Sequence, residues 1–319
     1  MLKSKEAPQH VVAFGGGTGM SILLKGLKEA VSDITAVVVV SDDGGSSGEL
    51  RTLYNMPAPG DLRNVIAALS EADPKLLSLL QYRFDDAILQ GHSLGNLAMA
   101  ALTKIEGSFE NAVKALCQLA KVKGQVIPMA SQKLALVATH QDGSKSTGEV
   151  TVSKSQKPIV QMCLLPEPSP ASKACLQAIE NADLIVFGPG SLFTSVIPHL
   201  LIPGIVEALD QCSAKIIYVS NIMTEPGETT DFNLSDHVES LFRHGLNRLD
   251  AVLCHNGEIP EELENKYQLS GSQKVLPHLL SPNIKLWVEN LLELGDVIRH
   301  SSQRLSKSLL GRYQELLVL

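Results

Sequence analysis

Several features that announce particular protein classes are missing from this sequence. No apolar run approaches the ~18 uninterrupted residues that a membrane span requires, and no apolar stretch of the secretory kind follows Met1–Glu6. A cytoplasmic protein without membrane insertion is therefore expected. There is no basic stripe or arginine-rich arm: 27 Lys and Arg stand against 34 Asp and Glu, a formal net charge of -7. That balance argues against nucleic acid or an anionic membrane as the main partner. Cys117, Cys163, Cys175, Cys212 and Cys254 are odd in number and widely separated, with no C-x-x-C pair and no histidine at ligand spacing. They read as reduced thiols rather than as a disulfide framework or a zinc site. Only 4% of the residues are aromatic, but 44% are hydrophobic over 319 residues, enough for one large globular core or two modest ones. No internal repeat or low-complexity tract is present.

What is there begins at Val11-Val12-Ala13-Phe14, which runs into Gly15-Gly16-Gly17-Thr18-Gly19-Met20-Ser21 and then resumes with apolar residues at Ile22, Leu23, Leu27 and Ala30. This reads as strand, glycine turn and helix. A bare backbone lets several N–H groups converge on an anion while the helix points its positive end at the same spot. The turn is a relative of known phosphate loops and not a copy. Met20 stands where the dinucleotide fingerprint has glycine or alanine, and no Lys-Ser or Lys-Thr pair follows as a P-loop demands. The continuous β-branched run Ile34 to Val40 then reads as a strand buried on both sides, completing a parallel βαβ unit.

Helical spacing follows over Val65–Ser70, Lys75–Gln81, Leu94–Lys104 and Phe109–Leu119. From Val126 to Leu165 the pattern shortens to strands at Leu134–Thr139, Gly148–Val152 and Pro158–Leu165, with a hairpin turn at Gln141-Asp142-Gly143. The α/β rhythm returns with a helix over Ser172–Ile179, a strand over Asp183–Phe187, a second turn at Gly188-Pro189-Gly190-Ser191 and a helix over Leu192–Leu201. Strands at Lys215–Val219 and Ala251–Leu253 end in polar residues. The expected fold is a single α/β domain over 1–319, a Rossmann-like, doubly wound and mostly parallel sheet. It carries a small antiparallel insertion at 126–165 and a helical C-terminal tail at 284–319.

Candidate site residues gather after the strands, where an open parallel sheet places its crevice. Asp42 and Asp43 begin a flexible, hydroxyl-rich loop, Ser41 to Gly48, suited to a ribose hydroxyl, Mg²⁺ or activation of a nucleophile; the alternative is an acidic surface turn. Asp61 is placed to cap a helix starting near Leu62, with Arg63 and Asn64 in its first turn, and the Arg63 guanidinium suits a diphosphate or carboxylate. The alternative is a plain cap beside a solvated arginine. His92 and Asn96 enter another helix, His92 as a pocket residue or a structural one. Gly188, Gly190, Ser191 and Thr194 form the second turn, and Asn221, Thr224 and Glu225 follow the next strand. Together the two turns suit an extended ligand such as a diphosphate joined to a base or sugar. Ser301, Ser302 and Ser306 lie among Arg299, Arg304 and Lys307, either a phosphorylatable segment or a solvated helix.

GGGTG, SDDGGSSGELR, PGDLRN, HSLGN, GPGSLFTS and SNIMTEPGETT occur in this order from about Val11 to Leu292. In these six motifs the chain resembles the YvcK family of gluconeogenesis factors, within the superfamily of 2-phospho-L-lactate transferase (CofD). The resemblance implies a Rossmann-like fold with a nucleotide-sized cleft that binds UDP-sugars. It also implies a role in cell shape and in growth on gluconeogenic carbon sources, with no reaction assigned. The superfamily's transferases join a phospholactyl group to a deazaflavin precursor with Mg²⁺, and share the Gly15-type and Asp42-Asp43-type loops. Carried onto this sequence, Thr18 and the Gly15, Gly16, Gly17 and Gly19 backbone would contact phosphate or nucleotide. Asp42 and Asp43 would contact a sugar or metal, Asn221 the nucleotide, and Gly188 to Ser191 would complete the cradle.

The function expected is that of a cytoplasmic UDP-sugar-binding regulatory protein with no catalytic residue assigned. The alternatives are a Mg²⁺-dependent transferase acting on a phosphorylated or nucleotide-linked substrate, and a protein whose cleft holds a dinucleotide such as NAD. A small nucleotide ligand, self-association and a protein partner in cell-envelope or carbon-metabolism control are the expected partners.

Overall fold

The computed structural model describes residues 7–86 and 88–317. Seven strands form one sheet: β1 (His10–Gly15), β2 (Asp33–Val38), β3 (Gln125–Pro128), β7 (Leu184–Phe187), β8 (Lys215–Val219), β9 (Ala251–His255) and β10 (Lys285–Glu289). Three further strands, β4 (Ala135–His140), β5 (Lys145–Thr147) and β6 (Ile159–Leu165), form a second sheet. The main sheet has the order β10-β9-β8-β7-β1-β2-β3 with every neighbouring pair parallel. Its central strands are buried along almost their whole length, which is why they read as unbroken apolar runs. Chain order runs outward from β1 through β2 to β3, then restarts at β7 on the other side of β1. That reversal is a topological switch point, and it lies between the two strands that end in glycine turns.

Helices flank this sheet. Ser93, Ser108 and Ser172 cap the helices Leu94–Ile105, Phe109–Leu119 and Lys173–Glu180 by accepting from an amide three residues on, and Asn233 builds a full capping box with Asp236. Among the described residues no single helix is long and apolar enough to cross a membrane.

Four local expectations are corrected. The segment Gln125–Pro128 pairs with β2 in the main sheet, so the antiparallel sheet starts only at Ala135. Gly148 takes φ 91, which ends β5, and Glu149–Lys154 coils into a helix in place of the strand read over Gly148–Val152. The alternating Val150 and Val152 are overridden because the Asp43 carboxylate accepts the Val150 amide at 2.9 Å, organising a helical first turn. Gly45–Leu53 is a helix, so the hydroxyl-rich loop after Asp42 is shorter than expected. The tail is not wholly helical: Leu286-Trp287-Val288 lie in β10, and helix returns at Ser302–Tyr313. That last helix lies on the helix Gly17–Lys28 so closely that a Cβ on Gly26 would fall 2.3 Å from the Ser302 carbonyl oxygen. Ser306 is buried in the same contact, which leaves it no face for a modifying enzyme.

Candidate functional site

The two glycine turns meet at the switch point. Phe14 and Phe187, the last side chains before them, stack at 4.9 Å, and His199 meets Phe14 edge-on. The His199 Nε2–H donates to the Gly15 carbonyl at 3.1 Å, and complete burial holds this imidazole neutral, its pKa lowered to about 4. Above this support Gly19 presses against the opposite turn: a Cβ there would stand 2.6 Å from the Pro189 carbonyl oxygen. The first turn is also shorter than the motif suggests. Helix begins at Gly17, with φ +60 at that residue, so Gly17, Thr18 and Gly19 form the helix's own first turn.

Between the turns opens a cleft of about 510 Å³, large enough for a nucleotide-sized ligand. Gly16 to Gly19 line one side and Pro189 to Ser191 another, with Asn221 to Pro226 below. The side chains here are tied to each other. Asn221 Oδ1 accepts the Gly190 amide at 3.2 Å, which leaves its Nδ2 donors for a ligand, and Ser191 Oγ donates to Glu225 Oε1 at 3.0 Å. Beyond Asn221 the wall turns apolar, through Ile222, Met223, Tyr267 and Ile298, and ends at Arg299 and His300. His300 is buried and its Nε2 meets no partner. Desolvation lowers its pKa to about 3, with the neighbouring His255 adding to the effect, so it offers a neutral ring.

A second cluster is acidic. The Asp61 carboxylate accepts the Gly17 amide, and burial followed by the charge of Asp42 raises its pKa to about 7. Asp61 therefore does not cap its own helix; that helix runs Gly60–Leu69 behind Pro59, and Asp61 serves the N-terminus of the neighbouring one. Glu149, in the first turn of the small helix after β5, is raised to about 9 by burial and then by Asp42 and Asp61. Asp42 Oδ1 accepts its own loop's Gly44 amide at 2.8 Å, whereas Asp43 turns away to Val150. Among the described residues no group of three His, Cys, Asp or Glu side chains has the arrangement of a metal cage.

The structure thus brings Gly16, Gly17, Thr18, Gly19, Gly190, Ser191, Asn221, Thr224 and Glu225 into one cleft. Gly15 and Gly188 shape the turns from behind; the Gly188 amide donates to the Phe14 carbonyl. Thr194 faces inward and donates to Glu228 at 3.0 Å. Arg63 does not line this cleft: it is buried against Gly95, bonded to Asn64 Oδ1 at 2.9 Å. His92 and Asn96 converge instead on Ser46 Oγ, at 2.9 and 3.1 Å, with His92 also reaching Glu49. Glu149, Glu228 and His300 escaped the sequence reading, and Arg299 was read only as a basic neighbour of the C-terminal serines. Glu228 lay in plain view within TEPGETT, but a tail read as helix hid Arg299 and His300, and a strand reading hid Glu149.

The sequence profile of the 2-phospho-L-lactate transferase CofD family matches residues 11–292. The chain belongs to the CofD family. Within it, the chain is 41% identical over 308 residues to a gluconeogenesis factor of Halalkalibacterium halodurans, covering 95% of this chain and 96% of that protein. It is 40% identical over 311 residues to the gluconeogenesis factor of Bacillus subtilis, covering 96% and 98%. A crystal structure of a UPF0052 family member from Bacillus halodurans superposes with a TM-score of 0.91 at 40% identity, over 95% of this chain and 99% of that one. The Rossmann-like sheet described above is therefore the architecture of this branch of the CofD family.

Proposed function

We propose that this CofD-family chain is a regulatory protein that binds a UDP-sugar in the cytoplasm and acts in gluconeogenic growth and in cell shape. One observation carries the reading: two glycine turns, a helix N-terminus and the Asn221 amide converge on a single cleft at the sheet's switch point, with an apolar slot beyond. Donors at the centre suit a diphosphate, and the slot between Ile222, Met223 and Ile298 suits a flat base. The relatives' name, gluconeogenesis factor, supports the physiological part. Titration of UDP-N-acetylglucosamine by calorimetry tests it. Thr18→Ala and Asn221→Ala are each expected to weaken binding about tenfold, roughly the 1.4 kcal/mol of a lost hydrogen bond to a charged group. Equal binding by all three proteins, or competition by NAD at lower concentration than UDP-N-acetylglucosamine, would sink the assignment.

A second reading, Mg²⁺-dependent group transfer, is favoured by Asp42 and Asp61. Burial, and then the charge of Asp42, hold a proton on Asp61 near neutral pH, and a cation bound through ligand phosphates would relieve the repulsion between the two. Asp43 holds the Val150 amide with Oδ1, and its charge acts beside that of Asp42 on Glu149. Phosphorus NMR of a UDP-sugar with Mg²⁺ and the protein separates the two readings: a new resonance means transfer, and an unchanged spectrum leaves a binding protein.

A further inference from the structure

The apolar wall of the cleft belongs to a second, smaller core. Ile222, Met223, Ile259 and Leu292 are buried together with Tyr267 and Ile298 packed against them, a cluster apart from the interior that holds the seven-stranded sheet. Ile222, Met223, Tyr267 and Ile298 also line the cleft. An apolar group bound there therefore adds buried area to this small core.

The helix Glu261–Leu269 is attached to the same cluster. Among the described residues it contains no buried residue, and no strand or helix packs along it. Its nine residues are too few for a stable helix by themselves, because the first turn costs more than its hydrogen bonds return. Pro260 before it makes no side-chain cap, and Glu261, Glu262 and Glu264 in its first turn supply only a favourable charge at the surface. Tyr267 is its fastening: the ring packs on the cluster, and the hydroxyl accepts the Ile298 amide at 3.1 Å. Ile298 lies in an arm closed by the Leu292–His300 bridge and by the Glu293 amide donating to the Arg299 carbonyl at 2.9 Å. The chain on either side of the helix is tied down. Lys274 Nζ donates to the Gly257 carbonyl at 2.9 Å, and the Thr224 amide donates to the Gln273 carbonyl at 2.7 Å.

We propose that the helix Glu261–Leu269 is a flap that opens from the cleft without disturbing the main sheet, that Tyr267 is its latch, and that an occupant of the apolar slot holds it shut. The proposal deepens the reading of the cleft as a nucleotide-sugar site and rests on it for the occupant. Opening breaks the Tyr267–Ile298 bond and uncovers the small core, while the large core stays intact, so it takes less free energy than global unfolding. A base between Ile222, Met223 and Ile298 lies against Tyr267 as well, so the flap cannot lift without exposing it. Occupancy of the cleft then shows on the outside of the molecule as the order of a solvent-facing helix.

Hydrogen exchange followed by mass spectrometry tests it, with the helix Leu234–Arg243, which has six buried residues, as internal reference. In the ligand-free protein, protection over 261–269 should be lower than in the reference by roughly a hundredfold or more. Equal protection overturns the proposal. Tyr267→Phe keeps the ring and removes the acceptor, so exchange over 261–269 and in the 292–300 arm should quicken about fivefold, the share of one net hydrogen bond, with the reference unmoved. No change in that variant, or an equal change in the reference, overturns it too. UDP-N-acetylglucosamine at about 100 times its Kd should slow exchange over 261–269 about a hundredfold, since the closed flap completes its site. Calorimetric binding with that exchange unchanged overturns the flap and leaves the UDP-sugar reading standing. Absence of binding defeats the UDP-sugar reading, and the ligand-free contrast with the Tyr267→Phe comparison then decides the flap.

Discussion

The turn after β1 and the turn after β7 stand on opposite sides of the same switch point, and they are built differently. The first passes at once into a twelve-residue helix, so its amides carry a helix dipole behind them. The second opens into a π turn at Leu192–Val196 and a four-residue helix, Ile197–Leu200, too short to add much field. It compensates with side chains: Asn221 pins the Gly190 amide, and Ser191 reaches Glu225. One turn draws its polarity from a helix N-terminus with Asp61 at its Gly17 amide, and the other is a floor shaped by side chains. A cleft made this way can hold a charged group at one point and still be selective about what lies beside it.

Joining the two turns rigidly is the part of this comparison most exposed to mutation. Gly19→Ala would push a methyl into the Pro189 carbonyl, with the Pro189 carbon at 2.9 Å and the Gly190 nitrogen at 3.2 Å, all backbone that cannot rotate aside. It should cost about 3 kcal/mol and abolish binding of UDP-N-acetylglucosamine. A thermal melt equal to wild type would show that the turns are less tightly joined than described. Asp61→Asn probes the first turn's electrostatics. Because the folded pKa of Asp61, about 7, lies above its unfolded value, the contribution of Asp61 to wild-type stability is greatest in acid and is lost as pH rises from about 4 to about 7. Urea unfolding should find Asp61→Asn gaining about 2 kcal/mol on wild type between pH 5 and pH 7. A constant difference would place the charge elsewhere. Gly17→Ala is the mildest: only Asp61 Oδ1, at 3.8 Å, lies near the added carbon, so the expected cost is the left-handed backbone alone, about 1 kcal/mol in the same assay.

The first turn was also the more readable of the two in sequence. Val11 to Phe14 and Ile34 to Val40 are buried on both faces, so composition alone marks them as central strands, and the glycines between them have a direct backbone meaning. Reading failed where an element's conformation is decided by something distant. Val150 and Val152 prefer a strand locally, but Asp43, more than a hundred positions earlier, supplies the cap that makes a helix. Leu286 to Val288 became an edge strand because β9 was there to pair with, and that pairing carries Arg299 and His300 to the cleft. Arg63 went elsewhere: its charge suggested a phosphate ligand, and it lies outside the cleft beside Gly95, with Nε and Nη1 buried and meeting no partner. The acidic cluster is partly such a case. Asp42 and Asp61 stood out, while their relation to Glu149 exists only once the small sheet has folded against the large one.

The helix Ser302–Tyr313 clasps the helix Gly17–Lys28, and Ile298 to His300 close a cleft that Gly16 to Gly19 open. Contacts between such distant parts of the chain are the slowest to form, since a long loop must be closed before they reward it. During synthesis, therefore, the glycine turn emerges early and waits. Nothing can occupy the finished cleft until the ribosome has delivered residue 300 and the last helix has docked, so a ligand that favours the closed cleft acts on the final step of maturation rather than on the first.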